Sequence, residues 1–200
     1  MNNNKIEGYH ATTKKYAIEI SETQKFKIDN EKANQKFLGR GIYFYLDRAN
    51  AVDWTIKMYK GKKNKQLPNN PNEIIDNYRI ITADIINNEN RILNLDTREN
   101  INKLNVMADL IKQKLEKYSM QSNDKILGVI LNYLEKNNFL EDIDAVKRTF
   151  PYPIESTKKI KGINCINKTM ICVKNDCIID NIKISKKITQ KEYNYSMIIY

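Results

Sequence analysis

The sequence predicts an α+β domain: strand-like runs at both ends enclose a helical middle, and 200 residues suit one domain spanning 1–200. Three observations carry this. Ile42-Tyr43-Phe44-Tyr45 is a compact β-branched and aromatic run. Ile101, Leu104, Ala108, Ile111 and Leu115 return at alternating steps of three and four, the period of one buried helix face. From Met170 onward, runs rich in Ile, Val and Cys replace that period.

In chain order, Lys5 to Ala11 reads as a strand entering a turn, and Thr12 or Thr13 caps a helix over 14–22. Residues 23–38 are polar without a sustained period and read as loop. Gly39-Arg40-Gly41 introduces the strand at 42–45, and Asp47 caps a helix carrying Ala51, Trp54, Thr55 and Met58. From Lys57 to Pro71 stand five lysines, two prolines and no acid, the composition of an exposed loop suited to a large partner. Arg79–Ile86 and Arg91–Leu95 are strand-like and are joined through 87–90, as a hairpin or tight connection. A second helix is marked by Ile126, Leu127, Ile130, Leu131 and Leu134, and a short third is expected around Asp142–Arg148. Phe150-Pro151-Tyr152-Pro153 ends the helical region, because proline restricts itself and its predecessor. Strands at Met170–Val173, Cys177–Ile184 and Tyr193–Ile199 complete the chain.

The net charge is +10, carried by 28 lysines and six arginines. Two readings of it stay open: a generic basic surface in a Lys-, Asn- and Ile-rich chain, or a site for a polyanion. The N-terminal residues lack the zones of a secretory signal, and Ile126–Leu131 is too short to span a bilayer, so a cytoplasmic protein with no membrane partner is expected. Cys165, Cys172 and Cys177, at spacings of seven and five, match no common zinc pattern and read as reduced thiols. A single histidine excludes a histidine-rich metal site, and no metal is expected.

Three pieces in order resemble the ADP-ribosyltransferase superfamily of the diphtheria-toxin and poly(ADP-ribose)-polymerase type. Gly8-Tyr9-His10-Ala11-Thr12 resembles the first strand, with a histidine followed by a small and a hydroxyl residue. Leu38-Gly39-Arg40-Gly41-Ile42-Tyr43-Phe44 resembles the second, where a glycine-flanked turn delivers a tyrosine. Met170-Ile171-Cys172-Val173-Lys174-Asn175 resembles the late strand on which that family places a glutamate or glutamine. Trp54, eleven residues after Tyr43, falls where the family commonly has a second aromatic.

The resemblance implies a split β-sandwich of two small antiparallel sheets with a helical middle segment, and NAD as substrate without a metal. His10 would bind a ribose hydroxyl, Ala11, Thr12 and Gly41 would line the nucleotide site, and Tyr43 and Trp54 would flank the nicotinamide ring, which gains from aromatic faces. Ala51 stands where a hydroxyl often helps hold the carboxamide. Met170 is the departure: an apolar thioether replaces the carboxylate that would stabilise an oxocarbenium-like sugar. The neighbouring Thr169, Asp176 and Glu155 are not assigned that role. The implied activity is mono-ADP-ribosylation of a protein or nucleic acid, in a bacterial or phage toxin or effector met by an antitoxin or immunity protein. Two alternatives stand beside it: an inactive binding module of the same fold, and an enzyme resembling the NAD-dependent RNA 2′-phosphotransferases. Each residue also has a plainer reading, with His10 a backbone-satisfied turn residue, Tyr43 and Met170 core, and Trp54 a helix packing residue.

Overall fold

The computed structural model describes residues 4–28, 37–63, 66–110, 123–153 and 165–197. Seven strands, β1 (Lys5–Thr13), β2 (Ile42–Tyr45), β3 (Tyr78–Ile86), β4 (Ile92–Asn94), β5 (Ala145–Pro153), β6 (Cys165–Val173) and β7 (Ile179–Ile184), hydrogen-bond in the order β4-β5-β6-β2-β1-β3-β7. All neighbours are antiparallel except β4 and β5, which are parallel. The helices are α1 (Lys14–Thr23), α2 (Arg48–Lys62), α3 (Asn72–Ile75), α4 (Arg98–Leu110), α5 (Asn123–Lys136) and α6 (Gln190–Met197). The α+β class is as expected, but the two separate sheets are not found, because the four residues of β2 pair with β1 on one side and β6 on the other.

Chain geometry requires this sheet to curl. Ile86 and Ile92 end strands that lie five interstrand spacings apart in the order, about 24 Å on a flat sheet. The five intervening residues reach at most about 21 Å when extended, and Glu89–Arg91 is wound into a 3₁₀ turn. Curling brings the halves together around an inner core, where Ile81, Ala83 and Ile85 of β3 pack with Ile92, Ala145, Ile171 and Val173 from the far half. The outer face is covered by helices, through Val52 and Ile56 of α2 and Leu127, Leu131 and Leu134 of α5.

Four local expectations need correction. Of the hairpin or tight connection expected between the strands at 79–95, the tight connection is found and the hairpin is not, since β3 pairs with β1 and β7 while β4 crosses to the opposite edge. The short helix at 142–148 is instead the start of β5, whose residues pair with β6 from Ala145↔Val173 to Pro153↔Cys165. Pro151 and Pro153 sit in that strand because β4 pairs only with 145–147, leaving an open edge where no donor is needed. Residues 57–62 are not loop but the last turns of α2, whose first turn is capped by Asp47 accepting from Ala49 N at 2.8 Å.

The strand expected from Tyr193 is α6. Thr189 and Glu192 form a capping box: Thr189 N donates to the Glu192 carboxylate (2.8 Å), and Glu192 N donates to Thr189 Oγ1 (3.2 Å). Leu115 and Ile111 of the long helical pattern lie outside the described residues, as does Glu155. Among the described residues, no helix is long and apolar enough to cross a membrane.

Candidate functional site

β1 and β2 share a single pair, Tyr9↔Tyr45, and then part. Beyond that pair the His10 ring replaces the missing ladder, its Nδ1 lying 2.8 Å from the Tyr43 carbonyl oxygen. A carbonyl only accepts, so Nδ1 carries the proton of this hydrogen bond. The ring is held edge-on by Phe26 (5.2 Å between centroids) and Phe44 (5.8 Å).

The parting of the strands opens a cavity of about 700 Å³. His10, Ala11 and Thr12 form one lip and Gly41, Ile42 and Tyr43 the other, while Trp54 and Met58 of α2 and Met170 of β6 close the outer side. Its walls include residues of both cores, so it runs through the gap in the sheet. Every residue given a site role from the sequence lines it except Ala51, which is fully buried within α2 and does not reach it.

The second lip is tied down by polar groups that do not face a ligand. The Tyr43 hydroxyl accepts from Leu38 N (2.8 Å) and donates to Gly39 O (2.7 Å), and burial pushes its pKa well above the ordinary phenol value. The Lys174 ammonium donates to the carbonyls of Leu38 (3.0 Å) and Arg40, and Arg40 N donates to Asn132 Oδ1 of α5 (2.6 Å). Gly41 has φ +149°, and a Cβ there would lie 2.5 Å from both Cys172 Sγ and Val173 O. Only glycine fits that turn. Tyr43 therefore contributes a ring face and a carbonyl, while its hydroxyl serves the turn.

Met170 is 3% exposed and paired across to Tyr45 and Arg148. Of its unassigned neighbours, Thr169 bonds Thr149 on the opposite face of the strand (2.9 Å) and Asp176 is exposed in a 3₁₀ turn. Among the described residues, Glu19 is the one acid lining the cavity, and it is ion-paired with Lys27, which also lines it.

Sequence reasoning missed the pair beside Met170. Lys168, two residues earlier on the same strand face, donates to Asp53 Oδ2 at 2.6 Å, with both side chains about 95% or more buried (5% and 3% exposed). Asp53 precedes Trp54, so the pair clamps α2 to β6 at the cavity wall. Lys168 also sits 4.9 Å from the Tyr152 ring, and Lys57 reaches both Tyr152 (5.2 Å) and Trp54 (5.3 Å). An acid among the buried positions of α2, between Val52 and Ile56, was the available signal. The three cysteines are free thiols, and no group of three or more His, Cys, Asp or Glu converges among the described residues.

Comparison with known proteins adds sequence likeness without a role. No family model matches the chain, and no solved structure matches it. The chain is similar to "Uncharacterized protein MJ0359" of Methanocaldococcus jannaschii, at 29% identity over 192 residues, covering 88% of this chain and 85% of the relative.

Proposed function

We propose that the protein is an NAD-dependent mono-ADP-ribosyltransferase of the diphtheria-toxin and polymerase type, acting as a toxin or effector, with the cavity at the split of the sheet as its NAD site. The observation that carries this reading is convergence. His10, Ala11, Thr12, Gly41, Tyr43, Trp54 and Met170 come from five separate segments, the turn before β2 included, yet they line one cavity. Its volume of about 700 Å³ and its aromatic, mostly apolar walls suit a small molecule, for which sites run roughly 300–1,000 Å³.

In this reading the nicotinamide ring seats against Tyr43 and Trp54, and His10 hydrogen-bonds a ribose hydroxyl. The bond between ribose C1′ and the nicotinamide nitrogen breaks with its electron pair going to the ring, which leaves as neutral nicotinamide. A nucleophile of the acceptor forms the new bond to C1′ and releases its proton. The oxocarbenium-like sugar needs nearby negative charge. Met170 supplies none, so the acceptor brings the carboxylate or equivalent, and chain elongation is not expected. The buried thioether also favours a second reading, a binding module that holds the nucleotide without turnover.

Incubation with labelled NAD and a bacterial lysate tests both. The transferase reading expects label on a macromolecule with the native chain and its loss in His10→Ala. Label appearing only with Met170→Glu supports the binding module, and none with either chain overturns the transferase reading.

A further inference from the structure

From Trp54 to Asn72 the chain carries five lysines and no acid. Because α2 continues to Lys62, most of these cations stand at fixed helical spacing. Trp54, Lys57 and Lys60 follow one another three residues apart, about 4.5 Å of rise per step, leading away from the cavity edge. Lys57, Lys62 and Lys63 are exposed. The row starts among aromatic rings, since Lys57 lies over both Trp54 (5.3 Å) and Tyr152 (5.2 Å), and β5 repeats the pairing with Arg148 over Phe150 (5.0 Å).

The acid beside the row is Glu73, which meets Tyr59 of α2 and lies near Lys63, so cations still outnumber acids along it and the surplus calls for an anionic partner. Acidic peptides would satisfy the charge but make no use of the half-buried Tyr152 ring beside it. Single-stranded nucleic acid matches both features, as unpaired bases present flat faces at each step of a charged backbone. A duplex keeps those faces stacked away. An incoming base that stacks on Tyr152 displaces the exposed Lys57 ammonium, which is then placed to meet the adjoining phosphate.

We propose that the surface formed by α2 and the end of β5 binds single-stranded nucleic acid and leads the strand to the mouth of the cavity. As a statement about the acceptor this rests on the transferase reading; as a binding surface it does not.

The test is fluorescence anisotropy with labelled 20-mers of oligo(dT) and oligo(U), the same length of duplex, and polyglutamate as competitor. Binding of either single strand, weakening steeply with salt, is expected, with a log–log slope near −2 for about three phosphate contacts. Lys57→Glu/Lys60→Glu/Lys63→Glu should weaken it by at least about tenfold while retaining the native circular dichroism. Tyr152→Ala should weaken single-strand binding and leave polyglutamate competition unchanged. Equal binding by the triple variant, equal affinity for duplex, or displacement by polyglutamate as effective as by oligonucleotide would each overturn the proposal, the last in favour of an acidic protein partner. NAD titration of the native protein, read by Trp54 emission, separates the two ideas: an NAD response without oligonucleotide binding removes only this surface, and oligonucleotide binding without an NAD response removes only the NAD site.

Discussion

The two walls of the cavity are built on different principles. The wall from β1, β2 and the start of α2 is rich in polar groups, yet their hydrogen bonds are spent on fixing the shape: His10 on the Tyr43 carbonyl, the Tyr43 hydroxyl on the turn, and Arg40 N on Asn132. The wall from β6 presents an apolar Met170, with charge withdrawn into the Asp53–Lys168 pair behind it. The first wall has its shape fixed by its hydrogen bonds. The second is stiff but brings no charge to bear. On the proposed reading binding and turnover would be separable, and the transferase and the binding module are distinguished by an assay of products rather than by affinity.

The largest effect should come from breaking the second wall. Lys168→Met strands the Asp53 carboxylate in the core and should cost about 3–5 kcal/mol, whereas adding Asp53→Leu should recover most of it. Urea denaturation measures both, and a loss under about 1 kcal/mol for the single variant would mean that the pair is solvated. In the first wall, Gly41→Ala should cost about 1–3 kcal/mol from backbone strain alone, before the clash with Cys172 and Val173 is counted. A thermal midpoint equal to the native one would show that the turn is looser than described.

The anchor of α2 gives a smaller, pH-dependent effect. Burial opposes the charge on Glu192, but hydrogen bonds from Arg48 (2.7 Å) and Thr189 outweigh it and hold the carboxyl at about 2. Because this lies below the ordinary value of about 4.3, the stabilisation is full above that pH and fades as the pH falls towards 2. Glu192→Gln should lose about 1–2 kcal/mol at pH 7 after solvent screening, and that deficit should shrink steadily below about pH 4. A deficit independent of pH would remove the charge from the explanation. The smallest expected effect is a gain. Gly61→Ala meets nothing within 4 Å and lies inside α2, so up to about 1 kcal/mol of added stability should appear by thermal denaturation. A loss would argue that 57–62 is not helical.

The first wall was legible in the sequence because its parts are local. A histidine strand, a glycine turn and a capped helix each declare themselves within a few residues, and their order is preserved in the fold. The second wall depends on pairing across long separations. Ala145–Pro153 reads as a helix end with prolines until β6 is laid beside it, and Asp53 and Lys168, 115 residues apart, acquire meaning only as partners. The curled sheet was out of reach for the same reason: it follows from which strands neighbour one another. At the C-terminus the signal was present but overlooked, as Thr189 and Glu192 stand at capping-box spacing ahead of α6.

Trp54 is the one tryptophan of the chain and it lines the cavity, so its emission reports on that site. Titrating NAD while following Trp54 fluorescence in the native protein and in His10→Ala tests the central claim most directly. A saturable change in the native chain, abolished or shifted at least about tenfold in His10→Ala, is the predicted result, the loss of one buried polar contact being worth about 1.4 kcal/mol or more. An emission spectrum that millimolar NAD leaves unaltered, or one that responds equally in both proteins, would contradict it.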